Sequence, residues 1–471
     1  MKKLSAIISI VLSISIVSST SNFGAVALQN ARVDLLIVGG TVVTMDKDRT
    51  VYEDGAVAVK GGKVLEVGRR ADIVKKYSAR QTVNAAGKAV IPGLINTHTH
   101  IPMTLFRGIA DDLDLQEWLT KFIFPAEAKN VDEAFVRAGT RLGLAEMIRG
   151  GTTTYCDMYY FEDAIADETA KAGVRGVLGE TVIDFPVPDN KTFADGLAYT
   201  EKFIKKWQGH PLITPAIAPH APYTVSENNL TDARAMSDRL KAPLVIHLAE
   251  ANTETEFIQQ KHEGMRPIAY LEKINFFNSR TIAAHVVQAN EAELSILKKY
   301  NVGIAHNPQS NMKLGAGVAP VPIMLAKDMN VGLGTDGPAS NNDLSLWEEM
   351  DTAAKLHKVF SGDPKTMSAM QVLEMATIRG ARALHMADTI GSIEAGKLAD
   401  IVIVDLDGLH QTPMYSIYSH LVYATKSTDV NTVIINGRIV MLNRRLLTLN
   451  ESAIKRDANT YRLKIIKSLS N

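Results

Sequence analysis

Eight apolar, strand-like runs separated by helix-like stretches fill the middle of this 471-residue chain and limit its fold more than any other feature. They read as strands at residues 93–100, 152–158, 174–182, 212–220, 244–250, 281–287, 302–307 and 331–336. The segments between them are amphipathic. From Glu133 to Arg149, for example, Phe135, Ala138, Leu142, Ala145 and Ile148 recur at helical spacing. Strands that alternate with helical crossovers are parallel. Eight such units in about 300 residues predict an α/β fold, a (β/α)8 TIM barrel with its functional groups at the C-terminal strand ends. A doubly wound open sheet is the alternative, but no glycine-rich dinucleotide loop follows the first strand.

The flanks follow another pattern. Between Leu35 and Val90, short β-rich runs are broken by turns, with Gly-Gly pairs where hairpins need positive φ. From about Gly396 the same pattern returns, with an Asn-Gly turn at 436–437. Both ends are therefore expected to build one small antiparallel β-sandwich. Residues 28–92 would supply its N-terminal strands, residues 396–471 its C-terminal strands and a final helix, and the barrel would lie between them at 93–395. Residues 1–27 read as a signal peptide. Lys2 and Lys3 precede an apolar run from Leu4 to Val17, and Ala25-Val26-Ala27 suits cleavage before Leu28. The run is too short and serine-rich for a good membrane span, so the expectation is export to the periplasm or beyond the cell. With Cys156 as the only cysteine, neither an intrachain disulfide nor a lipoprotein anchor at the leader is available. Lys+Arg and Asp+Glu both number 51, so no charge excess points to nucleic acid or an anionic membrane as partner. A small-molecule substrate fits this balance. Pairing into a homo-oligomer is compatible with it but not legible.

Polar residues interrupt the apolar runs almost only at strand ends. In an extended strand His98 and His100 lie on one face, a spacing that grips one ion. Strand four ends in His220, strand five in His247, strand six in His285 and strand eight in Asp336. A barrel gathers these ends at one mouth, so His98, His100, His247 and Asp336 are candidate ligands of a single metal. Taken singly, His247 could be a core histidine, Asp336 a turn residue and Glu250 a helix cap. His306 divides evenly between orienting its loop and lining the pocket.

These motifs resemble the metal-dependent amidohydrolase superfamily over nearly the whole chain. They stand as PGLINTHTH (92–100), HLAE (247–250), AAHVV (283–287), HNPQSNMKL (306–314) and LGTDGPASNN (333–342). The last two blocks look like the branch of adenosine-type deaminases, guanine deaminases and triazine hydrolases. Within it, the chain is most similar to S-adenosylhomocysteine and methylthioadenosine deaminases. Many superfamily members bind two metals bridged by a carbamylated lysine ending strand four, but here that strand carries no lysine. The resemblance thus implies one Zn²⁺ per chain, with Fe²⁺ suited to the same ligands.

It also implies hydrolytic deamination of adenosine-type nucleosides with release of ammonia. Glu250 would protonate the ring, Asp336 would take the water proton, and His285 would steady the attacking oxygen. Glu127, in Pro125-Ala126-Glu127, matches a ribose-binding glutamate that follows Glu117-Trp118-Leu119, so Trp118 joins the substrate site. His220, in Pro219-His220-Ala221-Pro222-Tyr223, matches a nucleoside-binding histidine. Glu180 departs from the pattern. It stands where some relatives carry an arginine for the amino-acid carboxylate of S-adenosylhomocysteine, and a carboxylate there is expected to repel that group unless Arg175 or Lys191 substitutes. Two further readings stay open: hydrolysis of another nitrogen heterocycle (an oxidised purine, pterin or triazine), and a catalytically silent binding or assembly module.

Overall fold

A computed structural model describes residues 31–469, and the leader predicted at 1–27 lies outside them. Eight parallel strands pair in sequence order as a barrel: Leu94–Thr99, Thr152–Tyr159, Arg175–Val182, Ile213–Pro219, Leu244–Leu248, Thr281–His285, Gly303–His306 and Val331–Leu333. All eight expected strands are present. Several stop one to three residues before their polar ends, because those residues turn out of the ladder toward the mouth. The first and eighth strands meet there through the N–H groups of Thr335 and Asp336, which donate to the His98 carbonyl at 3.1 and 3.0 Å. Buried Asn96 ties the same seam, accepting from Thr335 N and donating to its hydroxyl.

Strands from both chain ends form a second, nine-stranded sheet. Its path runs Arg445–Leu446, Arg438–Leu442, Val430–Ile435, Ile401–Asp405, Lys88–Pro92, Ala31–Val43, Val51–Lys60 and Lys63–Arg69, with Tyr77–Asn84 beside Ala31–Val43. Leu35, Ile37, Val57 and Val59 from the front share its core with Ile401, Ile403 and Ile434 from the back. The sheet is mixed, which corrects the antiparallel expectation. Strand Ala31–Val43 pairs in parallel with both Tyr77–Asn84 and Lys88–Pro92. The Gly39-Gly40 pair makes a bulge inside that strand, with Gly39 at φ 84°, and lets its two halves serve different neighbours. Gly61-Gly62 and Asn436-Gly437 do form tight turns, with both residues of each pair at positive φ.

The sheet is joined to the barrel by a buried ion pair. Arg175, opening the third barrel strand, grips Asp400 at 3.0 Å, and the Asp400 carbonyl accepts from Gly93 N just before the first barrel strand. The final helix, Glu451–Leu469, packs on the helix Glu133–Gly150 through Arg149–Glu451 and the edge contact of Tyr461 with Phe135. No helix among the described residues is long and apolar enough to cross a membrane.

Candidate active site

The histidines at the barrel mouth are set by packing just behind them. After His100 the chain enters a short 3-10 turn, Ile101–Phe106, that lies against the helix Glu133–Gly150. That approach requires Gly139 and Gly143. A Cβ on Gly139 would sit 2.3 Å from the Pro102 carbonyl oxygen, and one on Gly143 would sit 2.3 Å from the Ile101 side chain. Asp157, on the second barrel strand, holds the Ile101 N–H at 2.6 Å.

One ligand atom each from His98, His100, His247 and Asp336 falls within 4.8 Å of the other three. His98 and His100 Nε2 lie 3.3 and 3.2 Å from Asp336 Oδ1, and His247 Nε2 lies 3.2 Å from His100 Nε2. His100 Nδ1 is bonded to the Met158 carbonyl and His247 Nδ1 to the His220 carbonyl, which directs both Nε2 atoms inward. The other ring nitrogen of His98, Nδ1, is buried without a hydrogen-bond partner among the described residues. Lone pairs that face each other and an orphaned buried imidazole nitrogen are costly without a cation. The cluster therefore fits one divalent metal, and three nitrogens with one carboxylate suit zinc. The Asp336 Oδ2 atom accepts from Ser310 and Ser340 at 2.6 and 2.8 Å, so the carboxylate is aimed before any ion arrives.

Electrostatics divide these groups. Burial pushes the His98 pKa down to about 4, against the pull of Asp336. Burial opposes protonation of His100 as well, but hydrogen bonding and charge from Asp336 outweigh it and lift that imidazole to about 9. Asp336 is held well below the usual carboxylate range, its burial overcome by the two histidine bonds. Glu250 goes the other way: burial raises it, and His285 only partly offsets this.

His285 Nδ1 lies 3.7 Å from Glu250 Oε1 and 2.8 Å from Asn311 Oδ1. Ala249, His285, Val286 and Asp336 all adopt left-handed backbone, with φ between 50° and 74°. Non-glycine residues held this way cost about 1–3 kcal/mol each and gather at functional sites. Here they turn strand ends into the mouth. Glu254 compensates at one of them by accepting the N–H groups of both Ala249 and Glu250.

His100, His247, Glu250, His285 and Asp336 line one cleft together with Trp118, Glu127 and His220. Leu115, Leu119, Ile123, Phe124 and Leu314 make much of its wall apolar, and no lysine or arginine among the described residues lines it. Glu127 accepts from the Tyr159 hydroxyl at 2.7 Å, and burial raises its pKa to about 7 against that bond. His220 bonds Thr224 through Nδ1, and burial beside His100 lowers it to about 3.

One sequence expectation is corrected, and two alternatives that the sequence left open are decided. Glu180 does not face the cleft; it is fully buried, accepts from Glu162 N and Asn190, and is pushed well above the usual range by desolvation, so it neither repels nor anchors a substrate. Arg175 is committed to Asp400 and Lys191 is exposed, so neither replaces it. His306 lines no part of the cleft; its Nε2 meets His357 Nε2 at 3.1 Å. Sequence patterns do not reveal Tyr159, which sits in the strand TTTYCDMY with nothing to set it apart from Tyr155 or Tyr160. Nor do they reveal the roles of Ser310 and Ser340, although these fall inside HNPQSNMKL and LGTDGPASNN.

Residues 89–440 match the model of the Amidohydrolase family. A 5-methylthioadenosine/S-adenosylhomocysteine deaminase of Syntrophobacter fumaroxidans is 49% identical over 89% of this chain and 96% of its own. A 5'-deoxyadenosine deaminase of Methanosarcina acetivorans is 42% identical over 91% and 97%. A crystal structure of an adenosine deaminase from Xanthomonas campestris with bound zinc superimposes with a TM-score of 0.91 at 39% identity, covering 93% of this chain and all of that one. Similarity this high over nearly full length, on a barrel whose mouth gathers three histidines and an aspartate, makes the chain a member of the amidohydrolase family.

Proposed function

We propose that this protein is a zinc-dependent hydrolytic deaminase of adenosine-type nucleosides. One observation carries the reading: three of the four candidate ligands, His100, His247 and Asp336, open into a single cleft with the candidate acid Glu250 and the candidate ribose acceptor Glu127, while His98 completes the ligand cluster just behind them. His98, His100, His247 and Asp336 would hold one ion. Bound there, a divalent metal supplies Lewis acidity that lowers the pKa of a water toward neutrality.

The chain's own groups do the rest. Glu250, whose carboxyl burial shifts toward the protonated form, donates a proton to the ring nitrogen beside the amino-bearing carbon. Asp336, held ionised, takes the proton from the attacking water and returns it to the departing amine, and the hydroxyl left on the ring carbon gives its proton back to Glu250 as the carbonyl forms. His285 steadies the developing oxygen charge. Glu127 keeps acceptor capacity beyond its Tyr159 bond for two ribose hydroxyls, and His220 borders the same space. The apolar wall and lack of cations suit a short uncharged 5′ substituent. The leader at 1–27 would carry this activity out of the cytoplasm.

The test is ammonia release from methylthioadenosine, 5′-deoxyadenosine, adenosine and S-adenosylhomocysteine, beside oxidised purines, pterins and triazines, before and after chelation. Expected are turnover of the nucleosides, loss of activity with chelator, recovery with zinc, and about one equivalent of metal per chain. Turnover restricted to the other heterocycles would overturn the substrate, and undiminished activity in a metal-free protein would overturn the mechanism.

A further inference from the structure

One wall of the cleft is a helix of irregular pitch. Leu115–Glu117 is α-helical, Trp118–Ile123 is a π-turn, and Phe124–Asn130 returns to α; Phe124 N bonds the Leu119 carbonyl, five residues back. From the start of the π-turn on, five cleft-lining residues come from this stretch, Trp118, Leu119, Ile123, Phe124 and Glu127, after Leu115 in the first turn. Between them Thr120, Lys121 and Phe122 are consecutively exposed.

Helical geometry gives the turn a purpose. At about 100° per residue, an unbroken α-helix would spread the five over roughly 240° and put Glu127 opposite Trp118. The wider i→i+5 turn advances roughly 80° per residue, which gathers all five within about 140°. An α-helix here could present the apolar wall or Glu127, but not both. The start of the helix is fixed by Asp114, whose side chain caps Gln116 N and Glu117 N. Its end is pinned by Lys129 and Asn130 bonding to Ser468 of the final helix. With both ends held, the phase between Trp118 and Glu127 is set by the extra residue in the turn.

We infer that the π-turn Trp118–Ile123 is a positioning device for substrate recognition, its added residue rotating Phe124 and Glu127 onto the face already occupied by Trp118. This rests on the nucleoside reading above. The device acts through backbone register, so the exposed Phe122 side chain is dispensable while its place in the chain is not.

The test compares Phe122→Ala, which keeps the register, with deletion of Phe122 and with insertion of one alanine after it, which shift the phase in opposite directions. Metal content and Tm identify folded, loaded protein. Expected are wild-type KM and kcat for Phe122→Ala. In the register variants, KM for methylthioadenosine rises about 10- to 100-fold, the scale of losing hydrogen bonds to a charged group, with unchanged metal content and kcat reduced far less. A folded register variant with wild-type KM, or a Phe122→Ala variant with an equal rise, would overturn the inference. Failure of the nucleoside reading is separately visible, since the wild-type enzyme would then not turn over methylthioadenosine.

Discussion

At the scale of single residues, the site holds two buried carboxyls shifted in opposite directions, Glu250 up and Asp336 down. Glu250 and Asp336 share a cleft and both are buried, yet only Asp336 has hydrogen bonds from two histidines to offset desolvation, whereas His285 and His100 act on Glu250 through charge alone. Glu250→Gln preserves size but cannot release a proton, so kcat is expected to fall about 10²- to 10⁴-fold with metal content unchanged. Steady-state kinetics beside metal analysis checks this, and wild-type turnover would remove Glu250 from the proton transfer. Glu127 offers a pH readout. Its folded-state pKa of about 7 lies above the ordinary 4.5, so protonation favours the folded state. Its contribution to stability is full below about 4.5 and is lost as pH rises through about 7. Its carboxylate, the better acceptor for ribose, is present only above that value. Nucleoside KM is therefore expected to rise as pH falls below 7, while Tm gains relative to Glu127→Gln. The Gln variant should show neither trend across pH 5 to 8.

At the scale of elements, the ligand pair on the first strand depends on a helix that touches no ligand. Gly139 and Gly143 stand four apart and let the helix Glu133–Gly150 rest on the backbone following His100. Gly139→Ala raises helix propensity by about 1 kcal/mol, yet its methyl group would overlap the Pro102 carbonyl, and the displacement costs about 1–3 kcal/mol. The variant should lose urea stability and bind zinc more weakly, both measurable by titration; unchanged zinc affinity would show that the His100 segment is placed by other contacts. The helix itself was legible from its apolar spacing. Its close approach was not, because a glycine in a helical pattern carries no record of what lies against it.

At the scale of the whole molecule, Arg175–Asp400 joins the barrel to the sheet in near-complete burial, with Arg175 also bonded to the Pro211 carbonyl and Asp400 to Asn436 N. Asp400→Ala leaves a buried guanidinium uncompensated, and a loss of about 3–5 kcal/mol is expected from denaturant unfolding. Catalytic efficiency of the surviving folded protein should hold, since the pair lies at the opposite end of the third strand from Glu180 and the mouth. A loss of activity without loss of stability would contradict that separation.

The sequence by itself determined the eight strand and helix units, the union of both chain ends, and the identity of the polar residues at the strand ends. These follow from periodicity and local chemistry, which a chain carries in its own order. Only the tertiary structure decided that Glu180 turns inward, that His306 pairs with His357 instead of lining the cleft, and that Tyr159 buttresses Glu127. Each depends on the direction of one side chain relative to a segment distant in sequence, and direction is set by packing, bulges and helix phase, which no local pattern encodes.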